Sequence, residues 1–372
     1  MKKYAIIHFQ PIELYPPVQN LITTLSNEKV PFKLKVYTTS TDLTVNKIES
    51  SSKNIEIIRP GKSGNHLSIF ERTINYITFY LGTFFDLILY GPRKILYFES
   101  LSSFPAYCYK RFINSGVSVL VHYHEYTPPK DYVSGMYLLK IFFKYEKWLY
   151  PTISWLSHTN EYRMNQFLKD ISPLQIKNHH ILPNYPPKSW YQPARDKIEY
   201  PIKIVCIGAI SLDTMYTKEF AKWVLDQNGN VTWDIYSLII TEEAKAYLSS
   251  LNPAIIKLHP GVNYSSIPEL LKNYDIGVIT YNGHIPSIVY AASNKLFEYY
   301  VCGLDVWFPD VMKGSSEYIN HATIPKIVSI DFTKLNEIDI DSLVDRSGLY
   351  SAQVNYFCED SLQELITEFI IK

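Results

Sequence analysis

Short apolar runs alternate along the first half of the chain with longer segments in which apolar residues recur every three to four positions. Runs of the first kind favour strands, and segments of the second kind favour amphipathic helices. Strands are predicted at 4–9, 34–38, 55–58, 94–98, 118–123 and 152–156. Helices are predicted at 17–26, 67–90, 104–114, 134–150 and 161–169. This alternation is typical of a parallel sheet covered by helices.

A proline-rich segment then interrupts the alternation. Residues 181–201 read ILPNYPPKSWYQPARDKIEYP, and their five prolines suit neither a helix interior nor a central strand. The alternation restarts with strands predicted at 202–207, 232–236, 255–258, 276–281 and 305–308. Helices are predicted between them at 218–227, 242–251, 267–272 and 294–301. The fold class is therefore predicted to be α/β, with two tandem Rossmann-like, doubly wound domains at 1–187 and 202–372 and a linker at 188–201.

The charges of the chain balance overall but not between its halves. The 36 Lys and Arg residues match 36 Asp and Glu residues, which argues against a nucleic-acid partner. Residues 1–187 carry 21 basic and 13 acidic residues, a net charge of +8, and the remainder carries −8. Two interpretations stay open: the two domains attract each other, or the basic half meets an anionic partner such as a phospholipid surface.

Cysteines and apolar stretches indicate the compartment. The four cysteines are far apart and form no C-x-x-C pair, so we expect a reducing cytosol rather than a disulfide scaffold. The apolar run after Lys2 and Lys3 is too short for a signal peptide. The longest apolar stretch, 74–91, contains Asn75 and Asp86 and is not expected to cross a membrane. A cytoplasmic location is predicted.

The predicted helix 134–150 carries a cationic stripe. Lys140, Lys144 and Lys147 recur at helical spacing among aromatic residues, a composition found in helices that lie in a membrane interface. The alternative is that this helix covers the parallel sheet, where apolar residues are also expected. Peripheral docking of the first domain on the inner face of the cell membrane is one of these two interpretations.

The most informative segment is 274–309, in which a buried strand is followed by a polar loop and then by a helix that starts near Asn294. In open α/β sheets, ligands bind beyond the carboxyl ends of the strands, where the N–H groups of a helix start can hold phosphate oxygens. Lys295 places a cation at that helix start, against the helix dipole, which an anion between them would explain. The alternative is an ordinary loop with a solvated lysine.

At this segment the chain resembles a known family. SNKLFEYYVCGLDVWFP, at 293–309, resembles the donor-site helix of bacterial glycosyltransferase family 4, and YPIKIVCIGAIS, at 200–211, is similar to the strand and turn that open the donor domain of such enzymes. ILPNYPP, at 181–187, is similar to their linker. The resemblance implies a GT-B fold, in which two Rossmann-like domains face each other across a cleft.

The resemblance also implies an activity. Enzymes of this kind transfer a sugar from a nucleotide-diphosphate sugar to a glycan or a lipid-linked acceptor, and the implied role is bacterial surface polysaccharide or glycolipid assembly. Retention of the anomeric configuration is implied as well. The nucleotide sugar is then a co-substrate, and neither a cofactor nor a metal is expected.

Six donor-binding residues follow from the same resemblance. Glu298 corresponds to the acid that usually accepts hydrogen bonds from the donor ribose hydroxyls. Lys295 and the backbone around Asn294 correspond to the diphosphate site. The remaining three are Gly208, whose turn would let phosphates approach the first donor-domain strand, Val262, at the position of the nucleobase, and Lys218. Lys218 corresponds to the lysine of the phosphate-binding turn, although its distance from Gly208 fits poorly.

The sequence also departs from the family pattern. Tyr290 stands where the family often has a Glu that helps bind the donor sugar, and Ala209 stands where an Arg often follows the glycine of the donor turn. Two alternatives from other functional classes therefore stay open. One is a nucleotide-sugar 2-epimerase, which shares the fold, and the other is a catalytically silent nucleotide-sugar-binding protein.

In the first domain, VSVLVHYHEYTPPKDY, at 117–132, places His124 and Glu125 just beyond a predicted strand. A histidine beside a carboxylate suits contact with sugar hydroxyls or the movement of a proton. The family often has His-Asp or His-Glu here, so the resemblance implies that His124 and Glu125 are the catalytic candidates. The alternative is a pair of strand-end histidines, His122 and His124, satisfied by neighbouring backbone.

Three residues are candidates for the acceptor side. Gln10 and Glu13 follow the first predicted strand, and both are expected to line the acceptor side of the cleft. Arg163 is a candidate for contact with an acceptor phosphate. The alternative for its segment is that Thr159 or Asn160 only caps the helix that follows.

Other motifs argue against metal and dinucleotide sites. Asp339 and Asp341 form the Asp-x-Asp pattern that binds Mn²⁺ in the other major glycosyltransferase fold, but their acidic setting is more typical of a helix start. The histidines show no spacing typical of zinc ligands. No G-x-G-x-x-G follows the first strand, which argues against a dehydrogenase. No metal site is predicted.

Overall fold

The computed structural model describes the chain apart from residues 42, 44–46, 50–51, 65–66, 130, 132–136, 172–175 and 177. The chain forms two compact units. Unit 1 comprises Met1–Pro183 together with Cys358–Lys372, and unit 2 comprises Asn184–Phe357. These units differ from the predicted division, because residues 188–201 belong to unit 2 and the C-terminal segment from Cys358 belongs to unit 1.

Unit 1 contains a seven-stranded parallel sheet. Its strands are β1 (Lys2–His8), β2 (Phe32–Tyr37), β3 (Ile55–Ile58), β4 (Lys94–Phe98), β5 (Ser118–Tyr123), β6 (Trp155–His158) and β7 (His179–Ile181). The strand order is β3-β2-β1-β4-β5-β6-β7. In β1, every residue from Tyr4 to His8 is buried, as expected for a central strand that is covered on both faces.

The helices of unit 1 before its C-terminal segment are α1 (Pro16–Ser26), α2 (Ile69–Tyr90), α3 (Ser103–Cys108), α4 (Tyr137–Glu146) and α5 (Glu161–Asp170). α3 continues as a π-helical turn at Tyr109–Ile113. α2 starts where Ser68 and Glu71 form a capping box, which satisfies N–H groups at the helix start. α2, α3 and α4 pack on one another as one layer. Residues 134–136 of the predicted helix 134–150 lie outside the described residues.

Polar side chains collect at the carboxyl ends of the unit 1 strands. The register of β1 with β4 pairs His8 with Phe98, and that of β4 with β5 pairs Phe98 with His122. The register of β5 with β6 pairs Tyr123 with His158. Because the strands are parallel, these residues share the sheet edge at which open α/β folds bind ligands.

Unit 2 contains a six-stranded parallel sheet and a two-stranded one. Its strands are β8 (Ile202–Ile207), β9 (Val231–Ser237), β10 (Ile256–Pro260), β11 (Ile276–Val278), β12 (Asp305–Pro309), β13 (Thr323–Ile324), β14 (Ile327–Ile330) and β15 (Tyr350–Ser351). The large sheet has the order β10-β9-β8-β11-β12-β14, and β13 pairs with β15. The helices are α6 (Thr217–Asp226), α7 (Glu242–Ser249), α8 (Ile267–Leu271), α9 (Pro286–Val289), α10 (Asn294–Val301) and α11 (Ile340–Val344).

The C-terminal segment of the chain completes unit 1. It forms α12 (Cys358–Ser361), α13 (Gln363–Ile366) and a π-helical turn at Thr367–Ile371. The Tyr4 hydroxyl donates to the Ile370 carbonyl over 2.9 Å, and the rings of Tyr4 and Phe369 lie 5.4 Å apart. Burial of this apolar segment against β1 is the physical reason why the domain predicted at 202–372 ends early.

Candidate functional site

In unit 2, α10 packs against the carboxyl end of β8. The Ile207 N–H donates to the Tyr299 hydroxyl over 2.8 Å. The helix can approach so closely because a Cβ on Gly277 would lie 2.1 Å from the Tyr299 ring. Directly after Ile207, Gly208 has a φ of +149°, and the side on which a Cβ would stand is open. The half-buried Gly208 and the start of α10 therefore belong to one part of unit 2.

Lys295 and Glu298 form an ion pair one turn apart on α10. The Glu298 side chain is only 2% exposed, and that of Lys295 is 23% exposed. Ser293 caps the helix by accepting the Lys295 N–H. The sequence alone suggested that the cation at this helix start needs an anion, and the Glu298 carboxylate supplies one. The pair therefore places an ammonium group and a carboxylate side by side at a helix start.

The Lys295 ammonium also acts on the end of β8. Burial raises the pKa of the Cys206 thiol to about 12, and the positive charge of Lys295 opposes that rise. This electrostatic influence is consistent with Lys295 lying near the strand end that Gly208 follows. The predicted donor-binding residues Gly208, Asn294, Lys295 and Glu298 are thus brought together at the carboxyl edge of the sheet.

Val262 lies in the loop after β10, where it is partly buried against the core. Beside this loop, the His259 ring stacks on Tyr236 with centres 4.3 Å apart, and its Nε2 lies 2.8 Å from an Asp234 carboxylate oxygen. These contacts fix the side chain of His259, three residues before Val262. Sequence reasoning missed Tyr236, although its position at the end of a strand was a signal.

Lys218 and Tyr290 lie on other elements of unit 2 than the Lys295–Glu298 pair. Lys218 is exposed in the first turn of α6, and the turn before it is held by the Tyr216 N–H, which donates to the Thr280 carbonyl over 2.7 Å. Tyr290 is half-buried just after α9.

In unit 1, a cavity of about 190 Å³ lies at the carboxyl ends of β1 and β4. His8, Gln10, Tyr15, Glu99 and Glu125 contribute its polar lining. The His8 Nδ1–H donates to the Gln10 carbonyl over 2.6 Å. The other ring nitrogen, Nε2, is buried and has no hydrogen-bond partner among the described residues. This nitrogen can accept a hydrogen bond from a hydroxyl group in the cavity.

Glu99 is a candidate that the sequence did not reveal. It follows β4 with a φ of +62°, a strained conformation for a residue other than glycine. Its Oε1 accepts the His124 N–H over 2.5 Å and the Glu125 N–H over 3.2 Å. Burial and the negative charge of Glu125 raise the pKa of Glu99 to about 8, although these N–H groups and Arg163 oppose the rise. No sequence pattern signals a left-handed glutamate.

The catalytic candidates His124 and Glu125 differ in their environment. His124 is buried with its ring stacked on Phe98, the ring centres lying 5.2 Å apart, whereas Glu125 is exposed.

Two other histidines at this sheet edge have lowered pKa values. Burial lowers the pKa of His8 to about 4 and that of His158 well below its usual range. Both rings are therefore neutral at physiological pH.

The three acceptor-side candidates have different positions. Gln10 lines the cavity. Glu13 is instead buried in an ion pair with Arg59, at 2.6 Å, so its carboxylate ties two loops together. Arg163 is buried and donates to the His124 carbonyl and to the Thr159 hydroxyl, which positions the His124 loop. The alternative of a helix cap is also realised, because the Asn160 side chain accepts the Arg163 N–H over 2.9 Å.

The Asp-x-Asp pattern has a structural explanation. Asp339 is the N-cap of α11, and its carboxylate accepts the Ser342 N–H over 3.3 Å. Asp341 accepts the hydroxyl of Tyr200. The predicted role as an acidic helix start is therefore confirmed. Among the described residues, no group of three or more His, Cys, Asp or Glu could hold a metal ion.

Comparisons with known proteins give matches in structure only. No protein-family model matches the chain, and no curated protein matches it in sequence. Sucrose-phosphate synthase from Thermosynechococcus elongatus matches with a TM-score of 0.66 at 11% identity, covering 99% of this chain and 95% of that one. The lipopolysaccharide outer core galactosyltransferase WaaB gives a TM-score of 0.59 at 11% identity, with coverages of 99% and 95%. UDP-GlcNAc 2-epimerase from Neisseria meningitidis, bound to UDP-GlcNAc, gives 0.60 at 12% identity and covers both chains fully.

The structural neighbours are thus GT-B glycosyltransferases and UDP-GlcNAc 2-epimerases. The predicted fold class, two tandem Rossmann-like α/β domains of the GT-B kind, is confirmed. At these identities the likeness shows the fold and leaves membership of glycosyltransferase family 4 a prediction.

Proposed function

We propose that the protein is a glycosyltransferase that moves a sugar from a nucleotide-diphosphate sugar to a hydroxyl group of a glycan or lipid-linked acceptor. The observation that carries the proposal is the Lys295–Glu298 pair at the start of α10, beside the open backbone of Gly208. It occurs on a fold shared with GT-B glycosyltransferases.

In this proposal unit 2 binds the donor. The Lys295 ammonium and the N–H groups of the first turn of α10 hold the diphosphate, which approaches the main chain of Gly208 because no side chain intervenes. Glu298, which pairs with Lys295, accepts hydrogen bonds from ribose hydroxyls. Val262 contacts the nucleobase. Each of these contacts uses a group that the fold already holds in place.

Unit 1 binds the acceptor. Its cavity combines the unpartnered Nε2 of His8, a hydrogen-bond acceptor, with the exposed carboxylate of Glu125. Sugar hydroxyls donate to such groups. Glu125, which lines the cavity, contacts the reacting sugars. The ring of His124 is buried, and Glu99 and Arg163 position the loop that carries both residues.

The wider role belongs to the same proposal. The protein acts in the cytoplasm in bacterial surface polysaccharide or glycolipid assembly, with retention of the anomeric configuration. One structural neighbour is a galactosyltransferase of the lipopolysaccharide outer core, which supports an acceptor of the glycolipid class. Because Lys295 and the helix start neutralise diphosphate charge, activity is expected to persist in EDTA and to need no Mn²⁺.

A binding experiment tests the donor site. The melting temperature is measured with a panel of nucleoside diphosphates and their sugars, and the nucleotide that raises it most is titrated by calorimetry. Glu298→Gln should weaken its binding at least about tenfold, since a charge-assisted hydrogen bond contributes about 1.5–3 kcal/mol. Glu269→Gln is the matched control, because Glu269 also pairs with a lysine three residues away, Lys272, on an exposed helix surface. Equal affinity of both variants would contradict the assignment.

The acceptor site has its own variant. His8→Phe keeps a ring of similar size and removes the accepting nitrogen. It should leave donor affinity unchanged and raise the KM for the acceptor. A loss of donor binding in this variant would show that the cavity of unit 1 has another role.

A 2-epimerase is the second candidate function, favoured by neighbours of that activity that match the chain over its whole length. Incubation with UDP-GlcNAc and no acceptor separates the two candidates. An epimerised sugar on the nucleotide would identify an epimerase. Transfer to an added acceptor would identify a glycosyltransferase, and tight binding without either product would identify a silent binding protein.

A further inference from the structure

One face of α2 is apolar and exposed along the length of the helix. Its side chains are between 36% and 73% exposed: Phe70, Ile74, Ile77, Leu81, Phe85 and Ile88. Spacings of three and four residues place all six on one face, whereas Phe79, Thr83 and Leu87 on the other side are buried. With a rise of 1.5 Å per residue, this apolar stripe is about 27 Å long. Monomeric soluble proteins rarely expose so continuous an apolar surface.

The apolar stripe continues onto the neighbouring elements. The π-helical turn after α3 contacts α2, and its residues Phe112 and Ile113 are 69% and 47% exposed. The guanidinium of Arg111 lies 5.4 Å from the ring centre of Trp148. Trp148, just after α4, is 61% exposed. Through Arg111, the π-helical turn therefore contacts the exposed indole of Trp148.

The π-helical turn and α4 carry exposed charges of one sign. The acidic residues of α2 are already engaged, because Glu71 caps the helix with Ser68 and Asp86 pairs with Lys35. Arg111, Lys140, Lys144 and Lys147 are all exposed. In segments 103–113 and 140–150 the only acidic residue is Glu146, which is buried and accepts the hydroxyl of Tyr123 over 2.6 Å. A cationic border next to exposed apolar and indole side chains matches the chemistry of an anionic lipid interface.

We propose that the apolar stripe of α2, the π-helical turn and the end of α4 together form a docking surface for an anionic phospholipid membrane. α2 lies in the plane of the interface with its stripe among the acyl chains, and the basic residues contact the headgroups. No helix in the described part of the chain is long and apolar enough to cross a membrane. Pairing of two copies through the stripe is disfavoured, because it would bring two cationic borders together.

The docking surface differs from the one that sequence suggested. The sequence placed membrane contact on helix 134–150 alone, through its three lysines. In the structure, Phe142 and Leu149 of that segment are buried, so it also covers the core, and α2 supplies the exposed apolar face. The proposal is independent of the donor and acceptor sites.

Tryptophan fluorescence gives a direct test. The protein has six tryptophans, and Trp148 is exposed whereas the other five are buried. The others, buried below 7% exposure, are Trp155, Trp190, Trp223, Trp233 and Trp307. Vesicles of phosphatidylcholine, with or without phosphatidylglycerol, are added to the full-length protein. Bromine-labelled acyl chains in the vesicles should quench the emission when phosphatidylglycerol is present, and Trp148→Phe should abolish most of that quenching.

Two independent variants test the two components of the surface. The first combines Ile77→Ser, Leu81→Ser and Phe85→Ser on exposed positions of α2. The second combines Arg111→Glu, Lys144→Glu and Lys147→Glu. Each should lower the fraction of protein that floats with phosphatidylglycerol vesicles at least tenfold. The matched control reverses three exposed lysines outside this layer, Lys29, Lys33 and Lys53, and should retain binding.

The outcomes that would overturn the proposal are distinct. Flotation with phosphatidylcholine alone at the same level, or with neither vesicle, would contradict the anionic membrane. Binding that survives the α2 variant would contradict the stripe. A dimer in sedimentation velocity that the α2 variant converts to monomer would identify a second copy as the occupant. Circular dichroism of each variant establishes that it is folded, and none of these results depends on transferase activity.

Discussion

At the scale of residues, charge and strain concentrate at the two sheet edges that carry the candidate sites. The sparsely populated backbone conformation of Glu99, with a φ of +62°, costs about 1–3 kcal/mol. Two main-chain N–H groups donate to its carboxylate and hold it in place. In unit 2, the buried carboxylate of Glu298 is compensated by Lys295. Both arrangements are expected to couple stability to ligand binding.

The Lys295–Glu298 pair predicts non-additive effects on stability. Lys295→Met leaves the buried carboxylate without its cation and should lower the free energy of unfolding by about 1–3 kcal/mol. Adding Glu298→Gln should restore part of that loss, because a neutral amide needs no cation. Nucleotide binding should stay weakened in both single variants and in the double variant. Urea unfolding and calorimetric titration measure the two quantities, and additive stability losses would contradict the coupling.

Glu99 predicts a dependence of stability on pH. Its pKa is about 8 in the folded protein and 4.5 in its ordinary state, so the folded state holds the proton more tightly between these values. The free energy of unfolding should therefore fall as pH rises from about 4.5 to about 8, by at most about 1.4 kcal/mol per pH unit. Glu99→Gln should flatten the profile between about pH 6.5 and 8, where His8 does not contribute. Urea unfolding at a series of pH values checks it.

His8 should give the stability profile a slope against pH that is opposite to the slope from Glu99. Burial lowers its pKa from 6.5 to about 4, so its contribution to stability is lost as pH falls through that range. His8→Phe should flatten the acid side of the profile and leave the slope above pH 6.5 unchanged. If His8→Phe altered the slope above pH 6.5, or if Glu99→Gln left that slope unchanged, the assignment of the slopes to these residues would be wrong.

At the scale of elements, apolar runs predicted most strands within a few residues, and four strands to the residue. The strand predictions at 55–58, 94–98, 118–123 and 202–207 match the observed bounds. β7 was missed because its sequence, HHI, lies at a sheet edge and is largely exposed, so no apolar run marks it. The Lys295–Glu298 pair had a signal, the i,i+3 spacing of opposite charges. The positive φ of Glu99 and the environment of the His8 Nε2 depend on tertiary packing, so no sequence pattern could indicate them.

The packing of α10 on β11 predicts a strong effect at one glycine. In Gly277→Ala the new Cβ would lie 2.1 Å from the Tyr299 ring, so α10 must move away from the strand. Overpacking of this kind should cost about 1–3 kcal/mol of stability, and nucleotide affinity should fall because the helix start moves. In the control Gly116→Ala, the nearest atom, the Asn114 Oδ1, is 3.4 Å from the Cβ, so little change is expected. Thermal unfolding and nucleotide titration of both variants test this.

At the scale of the whole molecule, the return of the chain to unit 1 changes the charge distribution. The segment Cys358–Lys372 carries four acidic residues and one lysine, which lower the net charge of unit 1 from +8 to +5. One of these four acidic residues forms an ion pair within unit 1, because the carboxylate of Glu368 lies 3.6 Å from the ammonium of Lys94. The basic border of the docking surface is therefore a local feature of α3, α4 and the turns after them, and net charge alone would not locate it.

Because the segment Cys358–Lys372 belongs to unit 1, we expect a substitution in it to lower the stability of that unit. Phe369 is fully buried and its ring packs on Tyr4, so Phe369→Ala should lower the stability of unit 1 by about 3–5 kcal/mol. Gln363→Ala, at an exposed position of α13, is the control and should change it by less than about 0.5 kcal/mol. Hydrogen exchange read by mass spectrometry should show faster exchange in β1 and β2 of the first variant, with β8 and β9 unchanged, because the lost contacts belong to unit 1. Faster exchange that appeared first in unit 2 would mean that the C-terminal segment stabilises the other unit.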